Sequence, residues 1–172
     1  MELLIPGLIL VGLMVWASTR IKRNAAAAFE AETVDNEFFV IRKPEGFLHV
    51  LNDDTGLEFR SYSKEFGKVG DRDVRRATIE IARNVGTNVD DIKRNIEAHA
   101  ESVSSSETYL DGGEKAAWLI TTDILDGGEF EVSRKLVTRG ADVWEARGTV
   151  LSDHRDDLAE ITEAALESVR VK

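Results

Sequence analysis

The chain has 172 residues, 42% of them apolar and 31% charged, with a net charge of −10 and no cysteine. That balance fits one folded, core-bearing domain of ordinary size and argues against wholesale disorder. It excludes disulfides, thiol nucleophiles and cysteine-ligated metal sites, and so acidic a chain will not hold nucleic acid through bulk charge.

Leu3–Thr19 (LLIPGLILVGLMVWAST) is the only long uncharged apolar run. At about 1.5 Å per residue it can just cross a thin bilayer core of roughly 27–30 Å. Residues 1–19 are therefore expected to form a single transmembrane anchor. Leu3, Leu4, Ile5, Leu8, Ile9, Leu10, Val11, Leu13, Met14, Val15 and Trp16 would meet the lipid bilayer. No Lys or Arg precedes the run, which disfavours a cleaved signal peptide, although Val15-Trp16-Ala17 resembles a cleavage site. Arg20, Lys22 and Arg23 follow it at once, and the positive-inside rule then favours a cytoplasmic domain over a periplasmic one. The first 28 residues carry Glu2 against those three cations, so the remainder holds a net −12.

Residues 20–36 are rich in Ala and Glu and predict a helical juxtamembrane spacer. Residues 37–172 then read as one α+β domain. Glu37–Arg42 reads as a strand, closed by a turn at Lys43-Pro44-Glu45-Gly46. Phe47–Leu51 is a short apolar segment before the turn residues Asn52–Gly56. Leu57–Ser63 alternates as a strand, Gly67–Asp73 reads as a loop or a strand edge disturbed by glycine, and Arg76–Arg83 alternates again with Ala77, Ile79 and Ile81 inward. A helix capped by Asn88 or Thr87 is predicted through Val103 on the spacing of Val89, Ile92 and Ile96. Ser104–Ser106 would then be a loop and Glu107–Leu110 a brief strand. Ala116–Leu125, taken as central, Glu129–Thr138 and Val143–Leu151 are joined by short glycine turns and predict an antiparallel meander. Asp153 is expected to cap a last helix running to Ser168, with Leu158, Ile161, Ala165 and Val169 inward. The expected fold is a mostly antiparallel six- to seven-stranded sheet flanked by helices.

This order of elements resembles the PsbP/Mog superfamily over residues 37–172. The carrying residues are Lys43-Pro44-Glu45-Gly46-Phe47, Ala77–Ile81, Val89–Val103, Ala116–Thr122, Arg134–Val137 and Leu166–Arg170. The family usually has Trp where this chain has Phe47. The resemblance implies an antiparallel sheet with helices on both faces and a non-enzymatic, partner-binding role. It transfers no residue-level site.

The candidate sites have plain structural explanations. His49 beside Asp53 and Asp54 could hold a divalent cation, but turn chemistry accounts for that loop. His154 among Asp153, Asp156 and Asp157 suggests acid–base work, yet acids belong at a helix start. His99 falls on the polar side of its helix. Gly112-Gly113 and Gly127-Gly128 lack the helix and Lys-Ser/Thr of a phosphate loop. No catalytic residue, cofactor or metal is therefore expected. Phe47, Tyr62, Arg72, Arg75 and Arg76 are the candidate contacts for a protein partner, since aromatic and Arg side chains anchor interfaces. The expected role is a membrane-tethered, non-catalytic module of a larger membrane complex. The alternative is a small-ligand carrier or sensor with an apolar pocket.

Overall fold

Alternating apolar residues in long strands build the sheet on which everything else is mounted. A computed structural model describes residues 13–21, 26–51 and 54–172. The elements run β1 (Glu32–Asp35), β2 (Phe39–Lys43), β3 (Phe47–His49), β4 (Phe59–Ser63), β5 (Phe66–Val69), β6 (Arg72–Arg75) and β7 (Ala77–Val85). They continue with α1 (Val89–His99), β8 (Ser102–Asp111), β9 (Glu114–Leu125), β10 (Gly128–Arg139), β11 (Asp142–Leu151), α2 (Arg155–Glu167) and β12 (Arg170–Val171). A seven-stranded sheet has the order β3-β4-β7-β11-β10-β9-β8, with every neighbouring pair antiparallel. β1, β2 and β12 form a second, three-stranded sheet, and β5 and β6 a separate hairpin.

The meander stands as expected, but β11 occupies the middle of the large sheet, with β9 next to its edge. Asp126-Gly127, both at positive φ, make the tight turn between β9 and β10, a conformation whose twist matches that of the flanking strands. On one face Ile79, Ile81, Ala146 and Val150 pack beneath α2, β2 and Trp144. Each large side chain fully buried there contributes about 1.5–3 kcal/mol. Phe38 and Phe39 stack on Trp144 at 5.9 and 6.1 Å, closing the end of this core.

The structure corrects several boundaries. The spacer ends early. Residues 26–27 are helical, but Glu32–Asp35 pair with β2 as a strand, because a free edge and a half-buried Val34 outweigh helix propensity. α1 stops at His99. Asn88 is its cap, accepting from the Asp91 amide at 2.9 Å, and the serine-rich run beyond it pairs with β9 as an edge strand with a bulge at Val103/Ser105. Asp153 caps nothing; it lies in a 3-10 turn, Ser152–His154, and α2 starts at Arg155 without a side-chain cap. Ile161 is 42% exposed, while Thr162 and Leu166 face inward. Gly148 explains this rotation of α2: lacking a side chain, it leaves room for Thr162 against the sheet.

Leu3–Val11, Lys22 and Arg23 lie outside the described residues. Residues 13–21 are helical, with Leu13, Met14, Val15 and Trp16 exposed and Arg20 over the Trp16 ring at 5.2 Å. Among the described residues no helix is long and apolar enough to cross a membrane.

A Cβ at Gly148 would collide with the Thr162 methyl. Gly148→Ala should therefore destabilise the domain by about 1–3 kcal/mol in denaturant unfolding. Adding Thr162→Ser, which removes that methyl, should restore part of the loss.

Candidate functional site

Among the described residues, the second face of the large sheet is covered at its two ends. α1 lies over β9 and β10 at one end, where Val89, Ile92 and Ile96 bury Ala117, Leu119, Leu136 and Val143. The β5–β6 hairpin covers the other end, with Val69 and Val74 on Phe130, Val132 and Leu151. Two glycines permit that seat: a Cβ on Gly67 would strike Leu151, and one on Gly128 would strike Val69.

Between the covers runs a charged row set by strand register. Arg60 of β4 lies opposite Glu80 of β7, Glu80 opposite Arg147 of β11, and Arg147 opposite Arg134 of β10. Arg60 approaches Glu80 at 3.3 Å, and Arg147 donates to the same carboxylate through Nη2. Arg134 is nearly buried and fully engaged. It donates to Thr121 Oγ1 and Asp123 at 2.7 Å each, and its Nε lies 3.5 Å from Glu145. Two cations directly opposite each other destabilise a sheet unless each has its own anion, and this arrangement supplies them. Beside the hairpin the row opens into a cleft of about 610 Å³. Arg60, Thr78, Glu80, Arg147 and Thr149 form its floor, and Ile124 and Leu125 lie at its edge.

The structure brings Tyr62, Arg75 and exposed Phe66 together. The Arg75 guanidinium lies 4.1 Å from the Tyr62 ring centroid and 3.9 Å from that of Phe66. Its Nη1 donates to the Ser63 and Lys64 carbonyls at 3.2 and 3.0 Å. Arg76 donates to the Phe66 carbonyl at 3.0 Å and pairs with Glu65, and Arg72 donates to the Asp126 carbonyl. These arginines hold the hairpin in place as well as displaying charge. Phe47 does not join them. It is 2% exposed, inside the main core, because β3 turns it beneath the sheet, so it cannot contact a partner. Phe66 takes its place at 50% exposure. The signal for the hairpin was Gly70-Asp71 between two short alternating runs, a two-residue turn of the kind that closes hairpins.

His49 packs on Phe59 at 4.8 Å, and burial, against an opposing pull from Glu32, lowers its pKa below the ordinary 6.5. Asp53, its expected companion, lies outside the described residues. His154 packs under the hairpin beside Gly67, while Asp153, Asp156 and Asp157 point into solvent. His99 is exposed. Among the described residues no cluster of three or more His, Asp or Glu side chains could hold a metal ion. A second cavity of about 270 Å³ lies between Phe47 and Ile161, and a third of about 230 Å³ lies between Tyr109 and Lys135.

Two buried lysines tie the outer pieces to this frame. Lys43 donates to the carbonyls of Ala28 (3.3 Å), Glu30 (2.5 Å) and Phe47 (2.8 Å), and the Gly46 amide donates to Phe29 O at 2.7 Å. Lys135 donates to the Glu167 and Val169 carbonyls at the C-terminal end of α2.

No family model matches the chain, and no curated protein matches it by sequence. Solved structures do. LpqN of Mycobacterium tuberculosis, involved in cell envelope biogenesis, superposes with a TM-score of 0.59 at 10% identity, covering 83% of this chain and 91% of LpqN. Cyanobacterial PsbP (CyanoP) from Synechocystis superposes at 0.57 and 10% identity, covering 84% of this chain and 94% of CyanoP. A protein from Bacteroides thetaiotaomicron gives 0.51 at 15% identity, covering 84% of this chain and 49% of that one. The fold is PsbP-like.

Arg75→Ala removes two cation–π contacts worth about 0.5–1 kcal/mol each. Amide exchange in residues 66–75 should then speed up by about tenfold while exchange in β10 and β11 stays slow. The unfolded chain protonates its histidine before the folded domain protonates His49. Stability should therefore fall as pH drops from about 6.5 toward the lower folded value. His49→Gln should flatten that part of a stability–pH curve measured by urea unfolding.

Proposed function

We propose that the chain is a membrane-tethered, non-catalytic protein-binding module serving as an accessory or assembly subunit of a larger membrane complex. One observation carries the binding half: the Tyr62–Arg75–Phe66 stack, in which Arg75 is held by hydrogen bonds to backbone carbonyls and Phe66 is half open to solvent. Tyr and Arg are the residues on which interface energy concentrates, and a surface ordered in advance loses little entropy on binding.

The tether rests on the sequence. The apolar run Leu3–Thr19 with Arg20, Lys22 and Arg23 behind it supports a retained span with the domain on the cytoplasmic side. The Lys43 bonds to Ala28 and Glu30 support a short, firm connection, which would keep the domain within reach of a neighbour in the same membrane. The PsbP-like fold agrees with this reading, since LpqN is involved in envelope biogenesis. The small-ligand alternative draws less support. The cleft beside the hairpin has an ionic floor, and the cavity beside Ile161 is smaller than the roughly 300 Å³ at which ligand pockets begin.

Purification of the full chain from native membranes in mild detergent should recover a partner protein in stoichiometric amount. Phe66→Ala, at an exposed position, should reduce that recovery by about tenfold without changing the melting temperature. Recovery of a lone monomer in every detergent would contradict the proposal.

A further inference from the structure

We infer that the cleft beside the hairpin binds an acidic peptide segment of the partner, with a carboxylate on Arg147 and a neighbouring apolar side chain on Ile124 and Leu125. This deepens the protein-binding reading and rests on it. The charge argument is local. The chain carries a net −10, yet the cleft gathers Arg60, Arg75 and Arg147 against Glu80 and Asp126. Glu80 is already shared by two guanidiniums. The Arg147 side chain is 41% exposed, and among the described residues it bonds only Glu80, through one nitrogen. Its other N–H groups can therefore face a ligand, and a guanidinium takes a carboxylate in a two-bond fork. Arg134, directly opposite, is taken up by its own two anions, so the attraction for a further carboxylate rests on the open N–H groups of Arg147 and not on an excess of cations in the row.

The apolar half of the site is also on view. Ile124 and Leu125 are 53% and 42% exposed at the end of β9, beside the turn at Asp126. Both line the same cleft as Arg147 and Thr149. An extended segment with alternating acidic and apolar side chains matches this pairing of a charged floor and an apolar edge. A basic or nucleic-acid partner does not fit: the former meets like charge here, and the latter meets an acidic chain everywhere else.

The test uses the full chain in phosphatidylcholine nanodiscs and fluorescein-labelled eight-residue peptides read by anisotropy. The probe alternates Glu with Leu, and its control alternates Gln with Leu. The Glu peptide should bind at least about tenfold more tightly than the control, and the preference should shrink with salt. Thr149→Glu, which places a carboxylate beside Arg147, should abolish the preference. Arg147→Gln should do the same, and Glu80 keeps Arg60 as its partner in that variant. Equal affinity for the two peptides, or an undiminished preference in Thr149→Glu, would overturn the inference. So would full displacement of the Glu peptide by millimolar inorganic phosphate, which would mark a simple anion site. If a partner still co-purifies from native membranes while the peptides fail, the binding role stands and the acidic-segment assignment falls. If neither a partner nor the peptide binds, both fall.

Discussion

Strand β10 is out of water on both faces from Phe130 to Val137, and the rest of the molecule is arranged around that condition. The strand carries Glu131, Ser133, Arg134 and Lys135 through this region, and a buried charge is tolerated only when paired and hydrogen-bonded. Each is met by a different neighbour. Arg155 reaches Glu131 at 2.7 Å, Glu163 accepts from Ser133, Lys135 donates to the carbonyls ending α2, and Arg134 takes the acids of β9 and β11. The position of α2 is thus fixed by polar contacts as well as by the apolar stripe above Gly148.

On the opposite face the same requirement divides the surface. Apolar residues at the two ends call for covers, which α1 and the hairpin supply. The charged row in the middle, already paired within the sheet, needs none and stays open. That division leaves an ordered row of paired charges, with the Arg147 side chain 41% exposed, next to the aromatic–arginine stack of the hairpin. The covered ends and the open row between them are consequences of one pattern of alternation.

The sequence made the large sheet legible because its strands alternate cleanly: Ala77, Ile79 and Ile81 face inward, and Trp144 to Val150 share a face, as their spacing requires. It misled where local preference and tertiary context disagree. Ala- and Glu-rich residues before Asp35 favour helix, but β2 offers an edge that turns Glu32–Asp35 into a strand. Ile161 has the spacing of an inward residue, but a glycine on another strand decides that Thr162 points in. Of the expected contact residues, Tyr62, Arg72, Arg75 and Arg76 gather on and around the hairpin, whereas Phe47 is core. Nothing in the run near Phe47 separates a buried aromatic from an exposed one. The Arg60–Glu80–Arg147–Arg134 row was invisible, because it exists only once four strands, far apart in sequence, adopt their register.

A partner seated on the face that runs from the hairpin across the charged cleft would lie within reach of Phe66, Ile124 and Thr149. The most direct measurement is photo-crosslinking in intact cells, with a benzophenone amino acid placed in turn at Phe66, Ile124 and Thr149, and at Val85 and Leu110 on other surfaces. Covalent adducts with one and the same protein from the first three positions, and none from the last two, is the predicted result. Adducts from Val85 or Leu110 alone would place the partner elsewhere and contradict the account.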